Sequence, residues 1–469
     1  MVGHGPGLSS PPKAPLRRSV PLALLPLIGG CTESAVDPDS GTAASVRITA
    51  AEAVPHPVQP SLLVVSWTQD TAGPLQVAYA VDGDDWRRSP AAPSSEGAHT
   101  IVLAGLPYGS ETTWHLVDAD GTPVTADFLT ENGPLPDGLP LPEVGVADAG
   151  GWDAEGAPYL FLTIATGDFG APWWRVIYDR LGRPVWSNQS DPERSSLHAR
   201  VAGDGRSLYL DQNSFWSLFD AGQASTVQQT LLDGTVVHTF ATPGLHHPFT
   251  DRPDGTVAYG AVSGLYAQES LTVVDRAGTA VSLWDCEGFL ERVGSVGRCG
   301  SNALNYDAAS DRYLFSFYSV ETVVEIDAAT GAEQRWFGAA AGSYGFADEA
   351  DRFWWQHGAI VTNTGTLLLS SDDADDGTET VVREYTIDDE GGVLREIWSF
   401  GVGDAVYAEQ MGEAVRLPNG NTWHNYGRDP RLREATPAGE VVWDLQWEGT
   451  AIGRTMPVVD LYALLPAPY

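Results

Sequence analysis

One phrase recurs six times between Tyr178 and Leu445: a strand, an acidic or polar residue beside a tight turn, then a strand usually ending in tryptophan. The copies read "YDRLGRPVWS", "LLDGTVVHTF", "VDRAGTAVSLWD", "IDAATGAEQRWFG", "IDDEGGVLREIWSFG" and "TPAGEVVWDL". Their markers, Asp179, Asp233, Asp275, Asp327, Asp388 and Pro437, follow one another at roughly fifty residues. A second hairpin with its own turn lies between successive copies: "AGDGRSLYL", "RPDGTVAYGA", "AASDRYLFSF", "NTGTLLLSS" and "LPNGNTWHN". Two hairpins per period make one four-stranded blade, so residues 149–469 are expected to close into a six-bladed β-propeller. An all-β chain of short strands also needs many turn formers, and 51 glycines and 32 prolines supply them.

Residues 45–132 alternate in strand fashion without that repeat, in "SLLVVSWTQ", "LQVAYAV" and "HTIVLAGLPYGSETTWHLVDA". About seven short strands in so few residues suggest a β-sandwich, and "LAGLPYGSETTWHLV" has the leucine, turn and aromatic order of a fibronectin-III-like module. "ENGPLPDGLPLPEVG" then breaks every periodicity, so residues 133–148 read as a Pro/Gly linker.

The N-terminus looks like an address. Lys13, Arg17 and Arg18 precede "VPLALLPLIGG" and Cys31. That apolar run is too short to span a bilayer and reads as the core of a signal peptide over residues 1–31. "LIGGC" has the pattern of a bacterial lipobox, in which Cys31 is lipidated and becomes the new N-terminus. Residues 32–44 are small and polar, a flexible tether. These features place the protein on the periplasmic side of the envelope, held to a membrane by a lipid anchor only. Thr32, where a retention signal would put Asp, favours the outer membrane. In such an oxidising compartment Cys286 and Cys299 read as a disulfide closing a short loop.

Charge removes several functions. The 26 basic and 62 acidic residues leave a formal charge of -36, which repels nucleic acid and anionic lipid. Lys13 is the sole lysine and lies in the leader, so Schiff-base and P-loop chemistry are excluded. "SSDDADDGTE" misses the alternating acidic spacing of a calcium loop because Ala374 falls on a ligand position.

The histidines carry what remains. Aligned on the turn glycines, His247 and His357 lie eight residues before Gly255 and Gly365, and His198 lies seven before Gly205. The strand that opens each blade lines the channel, so His198, His246 or His247, and His357 should converge there. A neutral imidazole in such a funnel can serve as base or nucleophile near pH 7. No carboxylate is seen in register with them, which argues against a zinc hydrolase. Trp354 and Trp355, beside His357, could stack an aromatic substrate.

"HHPFTDRPDGTVAYGA", "SNALNYDAASDRYLFSFYSVETVVEIDAATGAEQRWFG", "WWQHGAIVTNTGTLLLS", "VVREYTIDDEGGVLREIWSFG" and "AVRLPNGNTWHNYG" together resemble the bacterial arylsulfotransferase family, in that family's order. The resemblance implies transfer of a sulfuryl group from a small aromatic sulfate donor to a phenolic acceptor, without metal or other cofactor. His357, in "WQHGA", matches the family's nucleophile, which becomes sulfated. His246 and His247 match a sulfate contact, and Asn302 and Arg454 match further substrate-binding positions. Two positions depart: Gly300 stands where the family has a histidine, and Tyr318 where it has a sulfate-clamping arginine. Arg454 or Arg428 could compensate. The alternative is a non-catalytic binding or scaffolding propeller that has lost part of the clamp.

Overall fold

The computed structural model describes residues 46–93, 95–167, 172–263, 269–449 and 451–466. The leader, Cys31 and the tether lie outside them. The described chain is all-β apart from short helical turns, of which Cys286–Val293 is the longest.

Residues 48–131 form two facing sheets. One holds Ile48–Pro55, Leu63–Gln69 and Gly97–Leu103; the other holds Arg87–Arg88, Gln76–Val81, Glu111–Val117 and Phe128–Glu131. Alternation drives the pairing: along Leu63–Gln69 every second residue is buried. Val65, Trp67, Val77, Tyr79, Leu103 and Trp114 fill the space between the sheets.

The remaining strands form six further sheets of four or five strands. Their innermost strands are Ala451–Val458, Arg200–Val201, Leu245–Asp251, Ser301–Asp307, Trp354–Val361 and Glu413–Arg416, from the first sheet to the sixth. Each packs against the inner strand of the next sheet or is tied to it by side chains, as Arg200 is to Thr250 and Asp251. The ring closes because the last strand, Ala451–Val458, pairs with Tyr159–Ala165 and completes the first sheet. This is the arrangement of a β-propeller.

The repeated phrase now has a physical reading. The marker aspartates accept hydrogen bonds from backbone amides within their own turns, as Asp179 does from Leu181 and Arg183, and Asp388 from Gly391. The tryptophans reach the neighbouring sheet. Trp186, Trp398 and Trp443 donate to the carbonyls of Leu232, Pro437 and Arg180, each at or beside the next sheet's marker turn. Trp284 donates to Glu333 of the next sheet. Trp336 instead donates to the Ala341 carbonyl, in the connection that leads to the next sheet.

One expectation is corrected. Pro142–Ala147, part of the expected linker, is a strand paired with Val441–Trp447 at the outer edge of the sixth sheet. Pro142 opens the strand and no proline lies inside it, which is where an edge strand tolerates one. The linker is further closed off by a shared core: Leu62, Val102 and Ala104 of the sandwich join Phe161, Ile177 and Leu464 in one cluster. Tyr79 and Tyr462 add a hydroxyl–hydroxyl bond of 2.9 Å across the same face.

Candidate active site

A cavity of about 1000 Å³ opens at one end of the ring. His198, His246, His247, Asn302, Tyr318, His357, Arg428 and Arg454 all line it, as does Trp355, whereas Trp354 does not and instead packs its ring against the Arg352 guanidinium. The inner strands explain the convergence. Leu245–Asp251, Ser301–Asp307, Trp354–Val361, Glu413–Arg416 and Ala451–Val458 each contribute a polar residue: His247, Asn302, His357, Glu413 and Arg454. His198 comes from just before Arg200–Val201, where the buried Asp211 carboxylate accepts the Leu197 amide at 2.8 Å and pins the segment.

His357 sits between two irregularities. The pairing of its strand slips on both sides of it, with Trp354 opposite Asp372, His357 opposite Ser370 and Ile360 opposite Leu368. Trp355 has a φ of 50° and Gly358 a φ of 64°, so the backbone turns left-handed just before and just after. Gln356 points the other way and is fully buried, its amide nitrogen donating to Ser316 and the Phe317 carbonyl. The local fold therefore anchors the strand through Gln356 and aims His357 into the cavity.

The ring nitrogens of His357 are distinct. Nδ1 lies 3.0 Å from the Trp355 carbonyl oxygen, which can only accept, so Nδ1 carries the proton. Nε2 is left with a free lone pair. Although solvent in the cavity still reaches part of the ring, enclosure by protein lowers its pKa to about 4, partly opposed by that hydrogen bond. The imidazole is thus neutral near pH 7. The Tyr318 ring lies parallel to it within 8°, centroids 6.4 Å apart.

His198, His246 and His247 form a cluster beyond it. Ring centroids are 4.2 Å apart for His246 and His247 and 5.3 Å for His198 and His247. Burial first, then the neighbouring cationic and imidazole groups, hold His198 and His247 well below the ordinary histidine range. Nδ1 of each of the three, Nε of Arg454 and Oδ1 of Asn302 are buried without a hydrogen-bond partner among the described residues. Arg454 is 7% exposed, donates to Asn305 at 2.6 Å and lies 3.3 Å from Glu413.

Carboxylates do lie in this site, contrary to the expectation of none in register. Glu413 occupies the inner strand of the sixth sheet, and its position seven residues before Gly420 repeats that of His198 before Gly205. That signal was present in the sequence. Glu269 gave none, because it comes from a third strand. It is fully buried, accepts from the Ser301 amide at 2.8 Å and from its hydroxyl, and lies 3.7 Å from Nδ1 of His246. Asp372, on the strand beside His357, also lines the cavity. Among the described residues no three His, Cys, Asp or Glu are grouped to hold a metal ion.

The mouth is aromatic and partly acidic. Trp355 and Tyr407 are exposed there, with Asp375, Asp376 and Glu409 close by and Arg298 and Arg428 also on the rim. Arg298–Gly300 is held against the wall by the Cys286–Cys299 disulfide, which is present.

No protein-family model and no curated protein matches the chain. Among solved structures, a protein of unknown function from Bacteroides caccae is 15% identical, covers 63% of this chain and 98% of its own, and has a TM-score of 0.43. A putative 6-phosphogluconolactonase from Bacteroides uniformis is 14% identical over 82% of this chain and 100% of its own, with a TM-score of 0.40. The periplasmic gluconolactonase of Pseudomonas aeruginosa is 13% identical over 64% and 98%, with a TM-score of 0.37. Likenesses this distant say nothing of the reaction.

Proposed function

We propose that this protein is an exported aryl-sulfate sulfotransferase, a fibronectin-III-like sandwich followed by a six-bladed propeller, with His357 as its nucleophile. The three- and four-stranded sheets of residues 48–131 fit the first module, and the six sheets of the ring fit the second. The observation that carries the activity is the Nδ1 bond of His357 to the Trp355 carbonyl, which leaves a neutral, unshared Nε2 facing the cavity.

In the first half-reaction Nε2 attacks the sulfur of the donor. The sulfur–oxygen bond to the aryl group breaks, and the aryl oxide leaves with the electron pair. In the second, a phenol oxygen attacks the same sulfur, the nitrogen–sulfur bond breaks, and its electrons return to Nε2. His246, His247, His198, Asn302 and Arg454 surround the three sulfuryl oxygens, and the Tyr318 hydroxyl stands where the resemblance implies an arginine. No metal or other cofactor is required.

Mixing the protein with 4-nitrophenyl sulfate tests this directly. A burst of 4-nitrophenol equal to the enzyme present, together with a sulfuryl mass gain on the peptide containing His357, is expected. His357→Asn should lose both while the fold is kept. A second reading, a binding propeller without catalysis, is favoured by the engagement of Arg454 with Glu413 and Asn305. It predicts no burst from any aryl donor.

A further inference from the structure

We propose that Asp372 is the base that takes the proton from the phenolic acceptor, an inference that rests on the sulfotransferase reading above. The reaction needs such a group. A phenol ionises near pH 10, so at neutral pH its oxygen attacks sulfur well only as the proton departs. His357 cannot take that proton, because its Nε2 is bonded to sulfur throughout the step.

Asp372 is placed for the task. It lies on Leu367–Asp372, the strand paired with that of His357, two residues beyond Ser370, which sits opposite His357. Ser370, Ser371 and Asp372, the end of that strand, all line the cavity. Its carboxylate makes no hydrogen bond or ion pair with a described residue, whereas Glu269 is held by Ser301 and Glu413 by Arg454 and Thr455. The exposed rings of Trp355 and Tyr407 flank the same opening, where an aromatic acceptor would stack.

Burial and the adjacent carboxylate both favour the protonated form. Partial burial, then repulsion from Asp373, raises the Asp372 carboxyl to about 7. Asp375, Asp376 and Glu409 share the mouth, and Tyr407 interacts with Asp372 from the opposite loop. Arg352, the nearest cation along the sequence to this strand pair, is occupied by Glu321, Glu349 and the face of Trp354. His198 and His247 are weaker bases, for their pKa values lie well below 6.5. During transfer the acceptor proton passes to an Asp372 oxygen, the oxygen–sulfur bond forms, and Nε2 regains its pair. In the next cycle the same proton is available to an aryl oxide leaving the donor.

The two half-reactions can be read separately. Enzyme sulfated with 4-nitrophenyl sulfate and freed of donor is mixed with phenol, and the transfer rate is followed from pH 4 to 9. Wild type should lose transfer as pH falls through about 7, where the carboxylate gains a proton. Asp372→Asn should keep the 4-nitrophenol burst, whose leaving group needs no proton, and slow transfer to phenol about a hundredfold or more. That defect should shrink with acidic nitrophenol acceptors, which arrive already ionised. Unchanged transfer in Asp372→Asn, equal loss in both halves, or a defect blind to acceptor acidity would overturn the assignment while leaving His357 as nucleophile. Absence of a burst in wild type overturns both.

Discussion

Gly358 decides where His357 can point. Its φ of 64° suits glycine, and a Cβ there would lie 2.9 Å from the Glu413 backbone of the next inner strand. Gly358→Ala should therefore cost roughly 1–3 kcal/mol and displace His357, the proposed nucleophile, a loss of burst rate beyond the fall in Tm. Gly300 and Tyr318 are coupled in the same way. A Cβ on Gly300 would meet the Tyr318 ring at 3.2 Å, so the two departures from the arylsulfotransferase pattern occupy one volume. Tyr318→Arg should raise the donor half-reaction by about a hundredfold, the lower end of what one preorganised donor to developing charge contributes. Gly300→His alone should destabilise the fold, and it should be tolerated once Tyr318 is replaced. The burst is also expected to persist down to about pH 4 and to fail below it, where Nε2 of His357 gains a proton and loses its lone pair.

At the scale of elements, the sheets are joined by buried polar contacts as well as by apolar surface. Glu434, on Arg431–Ala435 of the sixth sheet, is fully buried and accepts from Arg180 of the first at 2.6 Å. It also accepts from Asn421, Trp423 and the Asp153 amide. The Arg180 guanidinium lies 4.5 Å from the Trp443 ring centre. Removing the negative partner leaves a buried cation, so Glu434→Gln should lower unfolding free energy by about 3–5 kcal/mol in a denaturant titration. Such contacts were only half legible. Strand alternation, turn aspartates and the recurring tryptophans could be read from the sequence because each depends on local spacing. The register of His198, His247 and His357 was readable for the same reason, and so in principle was Glu413. Glu269 and Asp372 were not, since their approach to the cavity depends on which sheets abut. Pro142–Ala147 was missed because its hydrogen bonds are made to a strand near the other end of the chain, while its composition is that of a loop.

For the whole molecule, charge and the proposed location set the terms. A formal charge of -36 surrounds a site proposed to admit an anion, so the lining arginines Arg298, Arg428 and Arg454 are what offset that field locally. Donor capture should for that reason strengthen with added salt, which screens the outer field more than the enclosed groups. The proposed anchoring at Cys31 is checked by Cys31→Ser, which should move the protein from the membrane fraction to the soluble periplasmic fraction.

The pairing of Ala451–Val458 with Tyr159–Ala165 sets an order of events as well as a geometry. Close to three hundred residues of sequence separate the two partners. As the chain emerges in order, the opening sheet must wait with an unfilled inner edge until the final strand arrives, and the ring stays an open arc until then. An unpaired strand edge is a template for other chains, so the interval is the chain's most hazardous one. Non-local closure of this kind is slow. If the protein is exported as proposed, the same delay has a use: a chain whose ring cannot close before Ala451–Val458 is made remains threadable through a membrane pore.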